Sequence, residues 1–188
     1  MNLQKENTSG PAYNIFKNKD DLLDVVKRCQ NGDTRAMEMV YNGYKSSLFN
    51  IAYRYSGNHF SAEDLLQDIF IKIFKNIAKL RSPEAFSGWL YRTAINTCIN
   101  FVRRKGKTKQ VSFNEVETVD HLEAGPAPIR QDIERAISTL PLKQRAVFLL
   151  HDVQGFTHEE ISRIMKWTEG TSKSQLFKAR MKIRKYMK

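Results

Sequence analysis

Thiols are scarce in this chain: 188 residues hold two cysteines. Cys29 and Cys98 stand far apart with no second thiol near either. That excludes a disulfide framework and a cysteine zinc knuckle, and reduced thiols are the simplest reading. No run approaches the roughly 18 apolar residues that a membrane span needs. The opening stretch, MNLQKENTSGP, has no apolar centre and does not read as a secretory leader. The expectation is a soluble, cytoplasmic protein with no membrane insertion. Strand patterns and internal repeats are missing too, because the apolar residues follow helical spacing almost throughout.

Negative charge is the next shortage. Lys and Arg number 31 against 20 Asp and Glu, a formal charge of +11. Such an excess points to a polyanionic partner, nucleic acid or an anionic membrane surface. A hydrophobic fraction of 41% and a charged fraction of 27% still belong to a folded chain, not a disordered one. Two local absences say more. From Thr171 to the end there is no carboxylate, against Lys173, Lys178, Arg180, Lys182, Arg184, Lys185 and Lys188. From Gln110 to Pro128 there is no Lys or Arg, against Glu115, Glu117, Asp120 and Glu123, and the stretch ends Gly-Pro-Ala-Pro. It reads as an acidic linker.

The expected fold class is therefore all-α. Two small helical domains, about 20–108 and 129–188, are joined by the linker at 109–128 and preceded by a loose N-terminal stretch, 1–19. In the first domain Asp33 suits an N-cap, and Val40, Tyr41, Tyr44, Leu48, Ile51, Ala52 and Tyr55 step by three and four. Ser61, with Asp64 three on, is expected to open the next helix as an approximate capping box. Leu65, Ile69, Phe70, Ile73 and Ile77 form its apolar stripe. Pro83 suits the first turn of another helix, with Phe86, Trp89, Leu90, Ala94, Thr97 and Phe101 inward. In the second domain one helix runs to Leu140, breaks at Pro141, and another runs to about Asp152.

The segment after it is a helix-turn-helix by its caps. Thr157 and Glu160 make a capping box, so a helix starts at His158 and runs to about Met165. Lys166-Trp167 is the turn, and Thr168 caps the next helix with Glu169 in its first turn. Ser172, Leu176, Ala179, Ile183 and Met187 are expected to face the core. Thr171, Lys173, Ser174, Gln175 and Lys178 lie on or beside the opposite face. Short polar tips near the helix start can read base edges, while cations, Arg180 among them, hold phosphates.

Two further faces stand out. Asp64, Gln67, Asp68 and Ile71 share the outer side of their helix, with an Ile ringed by polar groups as in a small protein-binding patch. A Mg²⁺ site on Asp64 and Asp68 ranks lower, since one helix offers few further oxygen ligands. Arg92, Asn96, Ile99 and Arg103 share one outer column of the following helix, and Arg104 continues its charge. Aromatics interleaved with cations in AFSGWLYR suit single-strand stacking, although Phe86, Trp89 and Phe101 equally fit a core stripe. His151-Asp152 with His158-Glu159 invites a metal-dependent phosphohydrolase reading, but His59 and His121 do not converge on them and no nucleophile–base pair is found. No catalytic residue, metal or cofactor is expected.

AEDLLQDIFIKIFKNI followed by FSGWLYRTAINTCINFVRR resembles region 2 of an extracytoplasmic-function sigma factor. LPLKQRAVFLLHDVQGFTHEEISRIMKWTEGTSKSQLFKAR resembles its region 4, and the likeness covers about residues 20–188. The resemblance implies a dissociable subunit of bacterial RNA polymerase. Asp64, Gln67 and Asp68 would bind the β′ clamp helices. The segment from Lys79 to Ala85 and the helix carrying Arg92 and Asn96 would open and hold the minus-ten strand. The helix from Thr168 would read the minus-thirty-five element beside the β flap, and the acidic linker would follow the RNA exit path. Most relatives are held by an anti-sigma factor. Asn100 stands where the family usually has Asp, Ser172 where it has Val, and Gln175 where it has Arg. Ser172 is expected to back-bond to the carbonyl four residues earlier, and Gln175 to alter the base preference. The rival reading is a stand-alone helix-turn-helix regulator that binds promoter duplex without polymerase.

Overall fold

The computed structural model describes residue 16 and residues 18–109 and 128–187. The acidic stretch at 110–127 lies outside that range. Among the described residues eight α-helices follow in order: α1 Lys19–Gln30, α2 Thr34–Ser56, α3 His59–Asn76, α4 Phe86–Lys109, α5 Pro128–Ser138, α6 Leu142–Phe148, α7 His158–Met165 and α8 Glu169–Tyr186. Short 3₁₀ turns, Ile77–Lys79 and Pro83–Ala85, join α3 to α4. No strand occurs among the described residues. No helix among them is long and apolar enough to cross a membrane.

The caps explain most of the boundaries. Asp33 Oδ1 accepts from the N–H groups of Arg35 and Ala36 at 2.9 and 3.2 Å and starts α2. Gly57, at φ 83°, ends it with its N–H on the Tyr53 carbonyl at 2.9 Å, a left-handed geometry that favours glycine. The start of α3 differs from the sequence expectation. Asn58, not Ser61, is its cap: the Asn58 side chain accepts from the Ser61 N–H at 2.8 Å. His59 and Phe60 are exposed, so the apolar pattern begins a turn late and hides the true start.

In the first half, α2, α3 and α4 close around Val40, Leu48, Ile51, Ile69, Ile73, Phe86 and Leu90, all buried. Tyr44 sits at the centre, its ring 5.9 Å from Phe86 and 6.2 Å from Tyr91. Phe16 also belongs to this core, although the sequence reading placed it in a loose stretch. Its ring packs 6.2 Å from Tyr44 and against Gly43, where a Cβ would approach it to 2.8 Å. In the second half Ile137, Ala146, Val147, Leu150, Ile161 and Leu176 are buried. After Phe148 the helix loosens into a π-turn, Leu149–Val153, and Gly155 at φ 77° then redirects the chain toward α7.

The two halves are not held by the linker alone. They pack into one continuous core. Phe156 meets the Tyr91 ring edge-on at 5.1 Å, and a Cβ on Gly88 would lie 3.1 Å from Ile164 Cγ1. Gln154 is buried between them, with its Oε1 accepting from Ser47 Oγ at 2.8 Å and Tyr91 Oη at 2.9 Å. At the other end of the seam Arg54 donates twice to Glu134, at 2.9 and 2.7 Å. Arg145 lies over the Tyr55 ring and donates to the Arg54 carbonyl at 2.9 Å, near the end of α2 where carbonyls favour a cation. Removing the Gln154 amide would leave one of the two hydroxyl protons without its acceptor, since Ser47 Oγ and Tyr91 Oη still bond each other at 2.8 Å, at about 1–3 kcal/mol for the group left unpaired.

Cys29 and Cys98 are buried and free. Burial pushes their thiols up to about 11 and about 12, so neither forms a reactive thiolate readily.

Candidate nucleic-acid interface

The helix-turn-helix forms as its caps require. The Thr157 side chain accepts from the Glu160 N–H at 3.2 Å, and Glu160 accepts in return from the Thr157 N–H at 2.8 Å. Lys166 turns the chain in the left-handed conformation at φ 56°. Thr168 Oγ1 then accepts from the Thr171 N–H at 3.1 Å and starts α8. Ser172, Leu176 and Ala179 are buried against α6 and α7. Ser172 does not back-bond to its own helix: its Oγ lies 2.9 Å from His158 Nδ1 and ties α8 to the start of α7. Met187 does not reach the core either. It stands just past the helix end and is 40% exposed.

The outer face of α8 differs in detail from the expected set of free cations. Lys178 and Ser174 are exposed, while Thr171 and Gln175 are half-buried. Lys173 pairs with Glu169 one turn back at 3.4 Å. Arg180 donates twice to Asp152, at 2.9 and 2.6 Å, and so is drawn toward the π-turn. Burial pushes the Asp152 carboxyl up, but hydrogen bonds from Arg180 and His151 outweigh it and hold it below the usual carboxylate range. Sequence reasoning missed Phe177, 66% exposed, and Met181, 47% exposed, which lie outward near the middle of this face. Their spacing from Leu176 and Ala179 was the available signal, since it puts them on the opposite side of the helix.

The histidines have other work. His151 Nδ1 lies 2.8 Å from Asp152 Oδ1, and its ring is 4.6 Å from that of His158. Glu159 pairs with Arg163 along α7. Burial, then the neighbouring His151, Lys173 and Arg180, hold the His158 imidazole below its ordinary value. Among the described residues no three His, Cys, Asp or Glu side chains gather as a metal would require.

On α4 the four residues that the sequence put in one column are divided. Asn96 lines a cleft of about 540 Å³ between α3 and α4, with Lys72, Lys79, Arg81, Trp89 and Asn100. Lys72 Nζ donates to Thr97 Oγ1 across it at 3.2 Å. The cleft thus combines an indole, cations and amides, which suits an unstacked base and its phosphates. Arg92 instead lines the seam with the second half, beside Glu160 and Arg163. Arg103 and Arg104 are exposed further along the helix.

On α3, Asp64, Gln67, Asp68 and Ile71 are all exposed, Ile71 by 50%. Phe60, 75% exposed, stands on the same stripe one turn before Asp64 and was not expected. An acidic face with two large apolar side chains is a protein-binding surface in its chemistry: apolar anchors within a polar rim.

The comparisons with known proteins agree with this layout. Sigma-70 region 2 matches residues 40–108, and sigma-70 region 4 matches residues 130–183. The extracytoplasmic-function sigma-E factor of Escherichia coli K12 is 30% identical over 175 residues, 85% of this chain and 90% of that protein. The SigE factor of Mycolicibacterium smegmatis is 31% identical over 166 residues, and the match spans 83% of this chain and 64% of that relative. Among solved structures, the Bartonella quintana sigma factor RpoE in complex with the anti-sigma factor NepR superposes with a TM-score of 0.67, at 25% identity, covering 80% of this chain and 95% of that one. With both region models matched in order and the Escherichia coli relative matched over 90% of its length, the chain belongs to the extracytoplasmic-function group of the sigma-70 family of RNA polymerase sigma factors.

Proposed function

We propose that the chain binds core RNA polymerase through the α3 face and directs transcription initiation by recognising minus-ten and minus-thirty-five promoter elements. Asp64, Gln67 and Asp68 meet the β′ clamp helices, with Ile71 and Phe60 as the apolar anchors. The α3–α4 cleft receives an unstacked minus-ten base beside Asn96 and Trp89, with Arg103 and Arg104 along the strand and Arg92, half-exposed in the neighbouring cleft, beside them. The α8 face enters the minus-thirty-five major groove: Thr171, Ser174 and Gln175 at base edges, Lys173, Lys178 and Arg180 at phosphates, Phe177 toward a thymine methyl. The second half also meets the β flap. The chain performs no chemistry of its own, works in the cytoplasm, and is held by an anti-sigma factor as the Bartonella relative is.

One observation carries this reading. A single chain displays an exposed acidic face with apolar centres on α3 and an exposed basic face on the second helix of a capped helix-turn-helix. The test is run-off transcription from a genomic fragment library with core polymerase, with and without the protein, alongside gel shifts of the promoters it selects. Transcripts and specific shifts that need both components support it. Specific binding by the chain alone, with no core-dependent transcript, would favour the stand-alone regulator.

A further inference from the structure

Resting on the promoter reading above, we infer that Gln30, the last residue of α1, is a positioning residue for minus-ten recognition. It holds one wall of the α3–α4 cleft from behind and does not itself touch DNA. Helix α1 lies before the stretch that region 2 matches, residues 40–108. The cleft has two unlike walls. Helix α4 supplies Trp89, Asn96 and Asn100, and the facing wall is Lys72 and Asn76 of α3 with Lys79, Leu80 and Arg81 just beyond it. That facing wall ends in irregular chain: a 3₁₀ turn at Ile77–Lys79, then Leu80 in extended backbone. A helix end leaves carbonyls with no donor of its own. Gln30 supplies one from outside. Its Nε2 donates to the Ile77 carbonyl at 3.2 Å and to the Leu80 carbonyl at 2.7 Å, which commits both protons of the amide. The two acceptors bracket Lys79 and stand directly before Arg81.

Gln30 is in turn held in place. Helix α1 buries Leu22, Val25, Val26 and Cys29. Its end is tied to α2 by one carboxylate: Arg28 Nε donates to Asp33 Oδ2 at 2.9 Å, while Asp33 Oδ1 caps α2. Gly32, at φ 84°, makes the corner between the two helices. A fixed corner therefore sets the amide, the amide sets the turn, and the turn sets where Lys79 and Arg81 stand relative to Trp89 and Asn96 opposite. A site of this kind is only as exact as the groups that support it. Losing Gln30 removes no contact to the base. It loosens one wall, and that costs the correct base more than a wrong one, because only the correct base uses the placement in full. Selectivity, a difference of two affinities, is what falls.

The test is run-off transcription by core polymerase with the full chain, on promoters that differ by single bases across the minus-ten element. Gln30→Met keeps the length of the side chain and loses both donors. Gln30→Glu keeps its shape and turns a carboxylate onto two carbonyls. Gln30→Lys keeps a donor. The Met and Glu variants are expected to lower the preference for the best base over the next, at the most selective position, by about fivefold. The Lys variant is expected to stay near the parental preference, and all three to keep parental affinity for core and parental minus-thirty-five selection. Parental minus-ten preferences in both Met and Glu overturn the inference. An equal loss of transcript from every promoter overturns it too, since that marks a merely structural role, and a Lys variant as unselective as Met overturns the part played by the donor. If the parent itself shows no minus-ten preference, the promoter reading falls and the inference falls with it.

Discussion

Helices α3 and α8 are built alike and charged oppositely. Each is 18 residues long and buries one stripe. Each shows solvent large apolar side chains, Phe60 and Ile71 on one and the pair Phe177 and Met181, with Tyr186 at the helix end, on the other. Around the first pair stand Glu63, Asp64 and Asp68; around the second stand Lys173, Lys178 and Lys185. On the proposed reading the apolar centre would supply contact area in both cases, and the sign of the ring would select the partner. A carboxylate ring repels DNA and attracts a basic protein surface, and a cationic ring does the reverse. They also differ in how their charge is held. On α8, Lys173 and Arg180 already have partners, Glu169 and Asp152. Engaging phosphate there means exchanging one anion for another.

The largest effect should come from reversing a sign. Asp68→Lys puts a cation in the middle of the acidic face, where losing one partner of a close charge pair costs about 2–5 kcal/mol. Affinity for core polymerase should fall about a hundredfold, with helicity and melting temperature unchanged. Titration of core against a fluorescently labelled chain measures it. Parental affinity would mean that α3 does not face the polymerase.

How much of this was readable in the sequence depends on what each residue touches. Local features were legible: Asp33, Thr157, Thr168 and Glu160 cap within three residues of themselves, so spacing alone places them. The stripe of α3 was legible because only one side is covered. Helix α4 was not, because two bodies cover it. Tyr91, Ile95 and Cys98 are buried alongside the expected Leu90 and Ala94, and a single-stripe reading has no place for them. Gln154 looks like a turn residue until Tyr91, 63 positions earlier, donates to it. Ser172 finds His158 and Arg180 finds Asp152 in the same way, through tertiary packing that leaves no mark in local spacing.

Next in size is a change of reading on α8. Gln175→Arg replaces an amide suited to adenine N6 and N7 with a fork suited to guanine O6 and N7. Gln175 is half-buried, so the lower part of the usual 1–3 kcal/mol range applies, about 5- to 30-fold in base preference. Selection from a randomised minus-thirty-five library with each protein bound to core should show guanine enriched at one position for the variant. Identical selected sequences would exclude residue 175 from base reading.

Releasing a held cation should do less. Asp152→Asn frees Arg180 for phosphate, and an exposed pair of this kind is worth about 0.2–1 kcal/mol. Promoter affinity with core should rise about 1.5- to 5-fold. The slope of log affinity against log salt should steepen by about 0.9 for the one added phosphate contact. Unchanged slope would mean that Arg180 does not reach the backbone.

The smallest effect is one of pH, and it falls on the basic side of the comparison because α3 lacks a buried histidine. His158 sits behind α8, hydrogen-bonded to Ser172 and facing His151 of the π-turn, with Lys173, Arg180 and Glu169 on α8 around it. Burial first, then His151, Lys173 and Arg180, hold its pKa below the ordinary 6.5. The unfolded chain therefore takes up that proton before the folded one does. Stability is intact above about pH 6.5 and falls as pH drops from there toward the folded value. Asp152, held below its ordinary 3.8, works at lower pH: its contribution is present above about 3.8 and stays constant through this window. Between pH 7.5 and 5.5 the melting temperature of the parent should fall further than that of His158→Gln, which keeps a polar group for Ser172 but takes no proton. Parallel melting curves for the two proteins would show that His158 is not the group that titrates.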